Sequence, residues 1–157
     1  MPQRQDYILR LIDELREFVS AMLRSGDPGK GAEALHAVLH AQQQLFQRPP
    51  AEFLSADLGQ QIDLLAQGES PAGAVENVAT YAALLEQAAR VYDGLNRPAL
   101  ALGSRQLALA ALAAAAARWP AQRADVAAQL GALRAAIPDE ALNPPVRELL
   151  RDFDATP

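Results

Sequence analysis

The chain has 157 residues, half of them apolar and about a fifth charged, which fits one domain with a packed core and excludes wholesale disorder. Its net charge of −5 offers no electrostatic footprint for nucleic acid or an anionic membrane, and the lack of cysteine excludes disulfides, thiol nucleophiles and cysteine-based metal sites. The 34 alanines and 24 leucines, set against 5% aromatic residues, favour helices and disfavour a β-sandwich or barrel.

Met1 to Glu17 interleaves Arg4, Asp6, Arg10, Asp13, Glu14 and Arg16 with apolar residues, so no export signal is expected there. Asp6 is the expected N-cap of a first helix. That helix carries Ile8, Leu11, Ile12, Leu15, Phe18, Val19 and Met22 at helical spacing. Ser25-Gly26-Asp27-Pro28-Gly29 ends it and starts a second, expected to bury Leu35, Val38, Leu39 and Phe46 before Pro49-Pro50. A third, shorter helix should hold Leu54, Leu58, Ile62 and Leu65 on one stripe and stop at Gly68. Ser70-Pro71 is a cap followed by proline at the first helical position. The helix it opens repeats Val75, Val78, Ala82, Leu85, Ala89 and Tyr92 and halts at Gly94. Asn96-Arg97-Pro98 opens a fifth helix through the alanine-rich tract to Trp119-Pro120. A sixth presents Val126, Leu130, Leu133 and Ile137, and a last one, after Pro144-Pro145, offers Val146, Leu149, Leu150 and Phe153. No alternating stretch invites a strand. The longest apolar run, Leu107 to Ala117, falls short of the ~20 residues that span a bilayer, so a cytoplasmic location is expected.

The expectation is one all-α domain over residues 1–157, six or seven helices in antiparallel hairpins, with the last few residues as a tail. Two hairpins share a detail. Ala34 and Ala41 stand seven apart on the second helix, and Ala101 and Ala108 seven apart on the fifth, each pair on one face where a methyl group admits close approach.

Leu85, Ala88-Ala89 and Tyr92, followed by Ala101 and Ala108, resemble a tetratricopeptide repeat. Phe18, Ala21, Met22, Gly29, Ala34 and Ala41 make a second match 67 residues upstream, close to twice the 34-residue period of such repeats. Asn96 stands where the repeat has its turn glycine, Arg105 and Val38 where it has an aromatic, and Pro49 to Gly68 does not fit. The opening Gln5-Asp6-Tyr7-Ile8-Leu9-Arg10-Leu11-Ile12 also resembles the start of an uncharacterised bacterial family of tetratricopeptide-like proteins. The resemblance implies a right-handed stack of hairpins whose first helices line a concave, partner-binding side. On that pattern Glu86, Arg90 and Asp93 form the exposed flank of the fourth helix. They do not reproduce the lysine-and-asparagine clamp that some of these proteins use for a C-terminal carboxylate.

Glu33, His36 and His40 are the one constellation with a ligand flavour: helical rotation places them within a ~60° arc, and histidines at i and i+4 can chelate a metal. The metalloprotease order is absent, since it needs glutamate directly after the first histidine. A solvated helix face is the simpler account, and no bound metal or cofactor is expected. Ser55 and Ser70 stand where N-caps belong, and no serine sits in a nucleophile elbow. Gly26, Gly29 and Gly31 suit a hairpin turn rather than a phosphate loop. Asp57 with Asp63, and Glu69 with Glu76, lack the spacing of an acid–base pair on one helix. The alanine tract reads as a core helix or a homodimer face, and Trp119 as the edge of the core or a partner hot spot. A protein-interaction module that takes a protein or peptide partner is therefore the first reading. A homo-oligomeric structural protein is the alternative, and a metal-dependent helical enzyme the third.

Overall fold

The computed structural model describes the backbone of residues 2–156 and the side chains of Tyr7 and of residues 9–156. All described elements are helical: α1 (Pro2–Ser25), α2 (Pro28–Phe46), α3 (Pro50–Leu54), α4 (Leu58–Ala66), α5 (Pro71–Gly94), α6 (Pro98–Arg118), α7 (Arg123–Ala135) and α8 (Pro144–Ala155). Single 3₁₀ turns at Pro120–Gln122 and Asp139–Ala141 precede α7 and α8. α1 opens at Pro2, upstream of the expected cap Asp6; that side chain and the stripe position Ile8 lie outside the described residues.

Proline and caps set most of the boundaries. Asp27 accepts the Gly29 N–H at 2.9 Å ahead of Pro28, and Ser70 accepts the Gly73 N–H at 3.1 Å ahead of Pro71. α5 ends in a Schellman turn. The Arg97 N–H reaches the Tyr92 carbonyl at 2.8 Å and the Asn96 N–H reaches that of Asp93 at 3.1 Å, with Asn96 left-handed at φ 57°. Asparagine tolerates that region better than other non-glycine residues, so the missing turn glycine is replaced by a residue that does the same work.

Among the described residues eight α-helices stand where six or seven were expected, because the third expected helix is two. Ser55-Ala56-Asp57 interrupts it, and Asp57 restarts the chain with a full capping box: its carboxylate accepts the Gln60 N–H at 2.8 Å while the Gln60 amide oxygen accepts the Asp57 N–H at 2.9 Å. Ser55 is therefore no N-cap. It closes α3, its hydroxyl donating to the Ala51 carbonyl at 2.7 Å. The break also shifts the rotational phase, so Leu54 points to solvent and Phe53 is fully buried in its place. Phe53 stacks on Phe46 with ring centroids 4.5 Å apart, and Tyr81 meets Phe46 edge-on at 5.0 Å. The Gln61 amide donates to the Phe53 carbonyl at 2.9 Å and accepts from the Tyr81 hydroxyl at 3.1 Å, which ties α3 and α4 to α5.

α5 is the hub of the molecule, touching α1, α2, α4, α6 and α7. Its most extensive contact is with α6, on which Ala101, Ala108, Ala111 and Ala115 are wholly buried beside Leu109 and Leu112. α6 is long and apolar enough on length and composition to cross a membrane, but 56% of its most apolar stretch is already buried inside the fold, as in a core helix. Trp119 ends it half-buried at the edge of the core, with the Arg118 guanidinium 4.8 Å from its ring centroid. α2 buries Ala34, Val38, Ala41, Leu45 and Phe46, so the centre of its stripe runs along the two alanines, and Leu35 and Leu39 are only half-buried. α8 packs on α6 through Val146 and Leu150, and buried Gln106 accepts the Asn143 N–H at 2.7 Å just before α8 begins.

Candidate partner-binding groove

α1, α5 and α7 lie side by side and enclose a groove of about 610 Å³. α1 is seated on the core by Ile12, Leu15, Val19 and Met22, which are buried at helical spacing. The Arg90 guanidinium bonds it to α5, donating to the Ser20 hydroxyl at 3.1 Å and to the Gln87 amide oxygen at 2.9 Å. α7 is seated by Val126, Leu130 and Leu133, and its Gln129 amide donates to the Ala79 carbonyl on α5 at 2.9 Å.

The floor is small and apolar. Ala79 and Ala83 on α5, and Ala132 on α7 with Ala136 at its C-cap, stand four apart and line it, while Leu9 and Ile12 form the α1 wall. The polar lining comprises Asp13 and Arg16 on α1, Glu76, Thr80, Glu86 and Gln87 on α5, and Gln129 on α7. Arg16 reaches Asp13 at 3.4 Å, a contact between two well-exposed side chains. A groove of this size with apolar walls and a few polar groups falls in the range of sites that take side chains or small ligands.

Glu86, Arg90 and Asp93 do not form the free exposed flank expected of them. Glu86 lines the groove, but Arg105 on α6 holds its carboxylate at 3.2 Å and that of Asp93 at 2.8 Å. The Glu86–Arg90 pair at i, i+4 does not form, because Arg90 turns toward Ser20 and Gln87 instead. Glu86 and Arg90 are half-buried; Asp93 is exposed. In the sequence Arg105 stands out only as a departure from an aromatic position, and its partners, 12 and 19 residues away, leave no signal there.

Glu33, His36 and His40 are exposed on the outer face of α2. Among the described residues no group of three or more histidine, aspartate and glutamate side chains is arranged to hold a metal ion. His40 instead borders a recess of about 260 Å³ between α1 and α2, with Leu11, Phe18 and Ala37. Of the other carboxylates, Asp57 is a cap, Asp63 pairs with Arg118, and Glu76 faces the groove. No family model, no curated protein and no solved structure matches the chain.

Proposed function

We propose that the chain is a protein-interaction module that seats a segment of a partner in the groove between α1, α5 and α7. The observation that carries this reading is the groove itself: a concave, small-residue floor of about 610 Å³ walled by helices from three separate parts of the chain. We propose further that the architecture is an interrupted tetratricopeptide-like stack, with hairpins α1–α2 and α5–α6, α3–α4 inserted between them, and α7 and α8 laid against α6. The neighbour relations support it. α1 touches α2 and α5, α2 touches α5, and α6 touches α7 and α8, so the two hairpins meet, and α1, α5 and α7 face the groove. No catalytic chemistry is proposed, since both histidines stand on the outer face of α2, away from the groove.

The test is site-specific photo-crosslinking in the source cells. A benzophenone side chain at Ala132 or Ala136, in the groove, should join the chain to a discrete partner, and the same group at exposed Lys30 should not. Equal yields at all three positions would remove the groove from the reading. A second reading, homo-oligomerisation, is favoured by the exposure of Tyr7 and Phe18 and the recess beside Phe18 on α1. Crosslinks from Phe18 to a second copy, with a dimer mass in solution, would support it.

A further inference from the structure

We infer that the groove takes a cationic amphipathic helix of a partner protein, one whose small apolar face lies on the alanine floor and whose basic residues are spaced to reach Glu76 and Glu86. This rests on the groove reading above and adds the chemistry of what enters.

The charge pattern carries the argument. The groove lining holds three carboxylates, Asp13, Glu76 and Glu86, against one guanidinium, Arg16. The ion partners just outside the lining do not change that balance, because Arg105 beside Glu86 is matched by Asp93 on its other side. Of the arginines beyond the lining, Arg134 is paired with Asp154 at 2.8 Å, while Arg90 is hydrogen-bonded to the neutral Ser20 and Gln87 and keeps its charge at the Glu86 end, so the negative charge of the groove is concentrated at Glu76. Glu76 forms no ion pair among the described residues, and it is exposed at the rim. A partner with lysine or arginine would supply the missing counter-charge, whereas an acidic partner would meet like charge across an apolar floor.

The geometry selects a helix. Glu76 and Glu86 both line the groove on one helix and are ten residues apart, which is about 15 Å of helical rise. A bound helix running along α5 would therefore meet them with basic residues about ten positions apart. Between them lie Ala79 and Ala83, facing Ala132 and Ala136 across the floor. Methyl groups at i and i+4 on both supporting helices leave a shallow trough in which a third backbone can come close, and Leu9 and Ile12 cover one side of it.

The probe is a fluorescein-labelled helical peptide of about 18 residues, alanine and leucine on one face, with two lysines about ten positions apart, compared with a twin carrying glutamate at those positions. Anisotropy titration against the full chain should show binding of the lysine peptide, weakened by added salt, and much weaker binding of the glutamate twin. Glu76→Lys should weaken the lysine peptide by roughly tenfold or more and Glu76→Gln by less, with the helical circular-dichroism signal unchanged. Ala132→Trp, at an exposed position on α7, should block it by filling the trough. Equal binding of the twin, or indifference to both Glu76 variants, would overturn the cationic assignment while block by Ala132→Trp kept the groove reading. Binding untouched by Ala132→Trp would overturn both. Failure of both peptides to bind would overturn this inference, leaving crosslinking from Ala132 and Ala136 to decide the groove by itself.

Discussion

Two residues set most clearly what a single side chain does here. Tyr81 is buried in the contact between α5 and the α3–α4 insertion, and burial pushes its hydroxyl up from 10.0 to about 12. A folded pKa above the unfolded one means the unfolded chain ionises first. The stability linked to Tyr81 is therefore complete below pH 10 and is lost as pH rises from 10 to 12, by an amount approaching ~3 kcal/mol. Denaturant melts across that range should show the loss, and Tyr81→Phe should remove the pH dependence. The same substitution strips Gln61 of a buried donor, at a cost of ~1–3 kcal/mol at neutral pH. Arg90 has a different role from the one its helical position suggests. Reversing its charge would break the Ser20 bond that ties α1 to α5 and the Gln87 bond that orients the guanidinium within α5, so Arg90→Glu should cost ~1–3 kcal/mol in a urea melt. A melt within experimental error of the parent would show that α1 is held by its apolar stripe alone.

At the scale of elements, the insertion α3–α4 is held by very few residues. α3 is five residues long and buries one side chain, Phe53, against Phe46 of α2. Phe53→Ala should cost ~3–5 kcal/mol and release α3 and α4 first, seen as early hydrogen exchange at Ile62 and Leu65. Uniform exchange across the chain would show that the insertion unfolds only with the rest. The helices themselves were largely legible: Asp27-Pro28, Ser70-Pro71, Arg97-Pro98 and Pro144 each open a helix where local rules place one. The phase of α3 was not. Periodicity read through Ser55-Ala56 assumes one continuous rotation, and a break of three residues makes Leu54 and Phe53 exchange places. The groove was less legible still. Its lining comes from residues 9 to 136, and Ala83 or Ala132 looks no different in sequence from the core residues Ala108 and Ala111. Of the expected partner-binding residues only Glu86 lines it, since ion pairing with Arg105 is a matter of which helices meet.

The molecule as a whole is organised around α5, with α6 as its main support and other helices laid against the pair. Alanine dominates that support. Its alanines fill the space left between buried leucines such as Leu84, Leu109 and Leu112, and wholly buried Ala111 has no room to grow: Ala111→Leu should overpack the core there and cost ~1–3 kcal/mol in a denaturant melt. Tolerance of leucine with an unchanged midpoint would show slack in the contact. The outer helices add anchors of their own, such as Val19, Leu130 and Leu150, and α1 leaves apolar surface exposed at Tyr7, Leu9 and Phe18.

The Schellman turn at Asn96 has a kinetic consequence. It joins the two helices that share the largest interface through a link of three residues, so their contacts are among the nearest in sequence that the fold contains. Closing them costs little chain entropy, whereas α1 must find α5 across 45 intervening residues. The α5–α6 pair should therefore be formed in the rate-limiting step. Ala111→Gly, which removes about 1 kcal/mol of helix propensity in that pair, should act mainly by slowing folding, with φ of about 0.5–0.8. Val19→Ala in α1 should act mainly by speeding unfolding, with φ of about 0–0.3. Stopped-flow chevrons of the two variants decide it: a higher φ at Val19 would mean that the long-range contact, not the local turn, starts the fold.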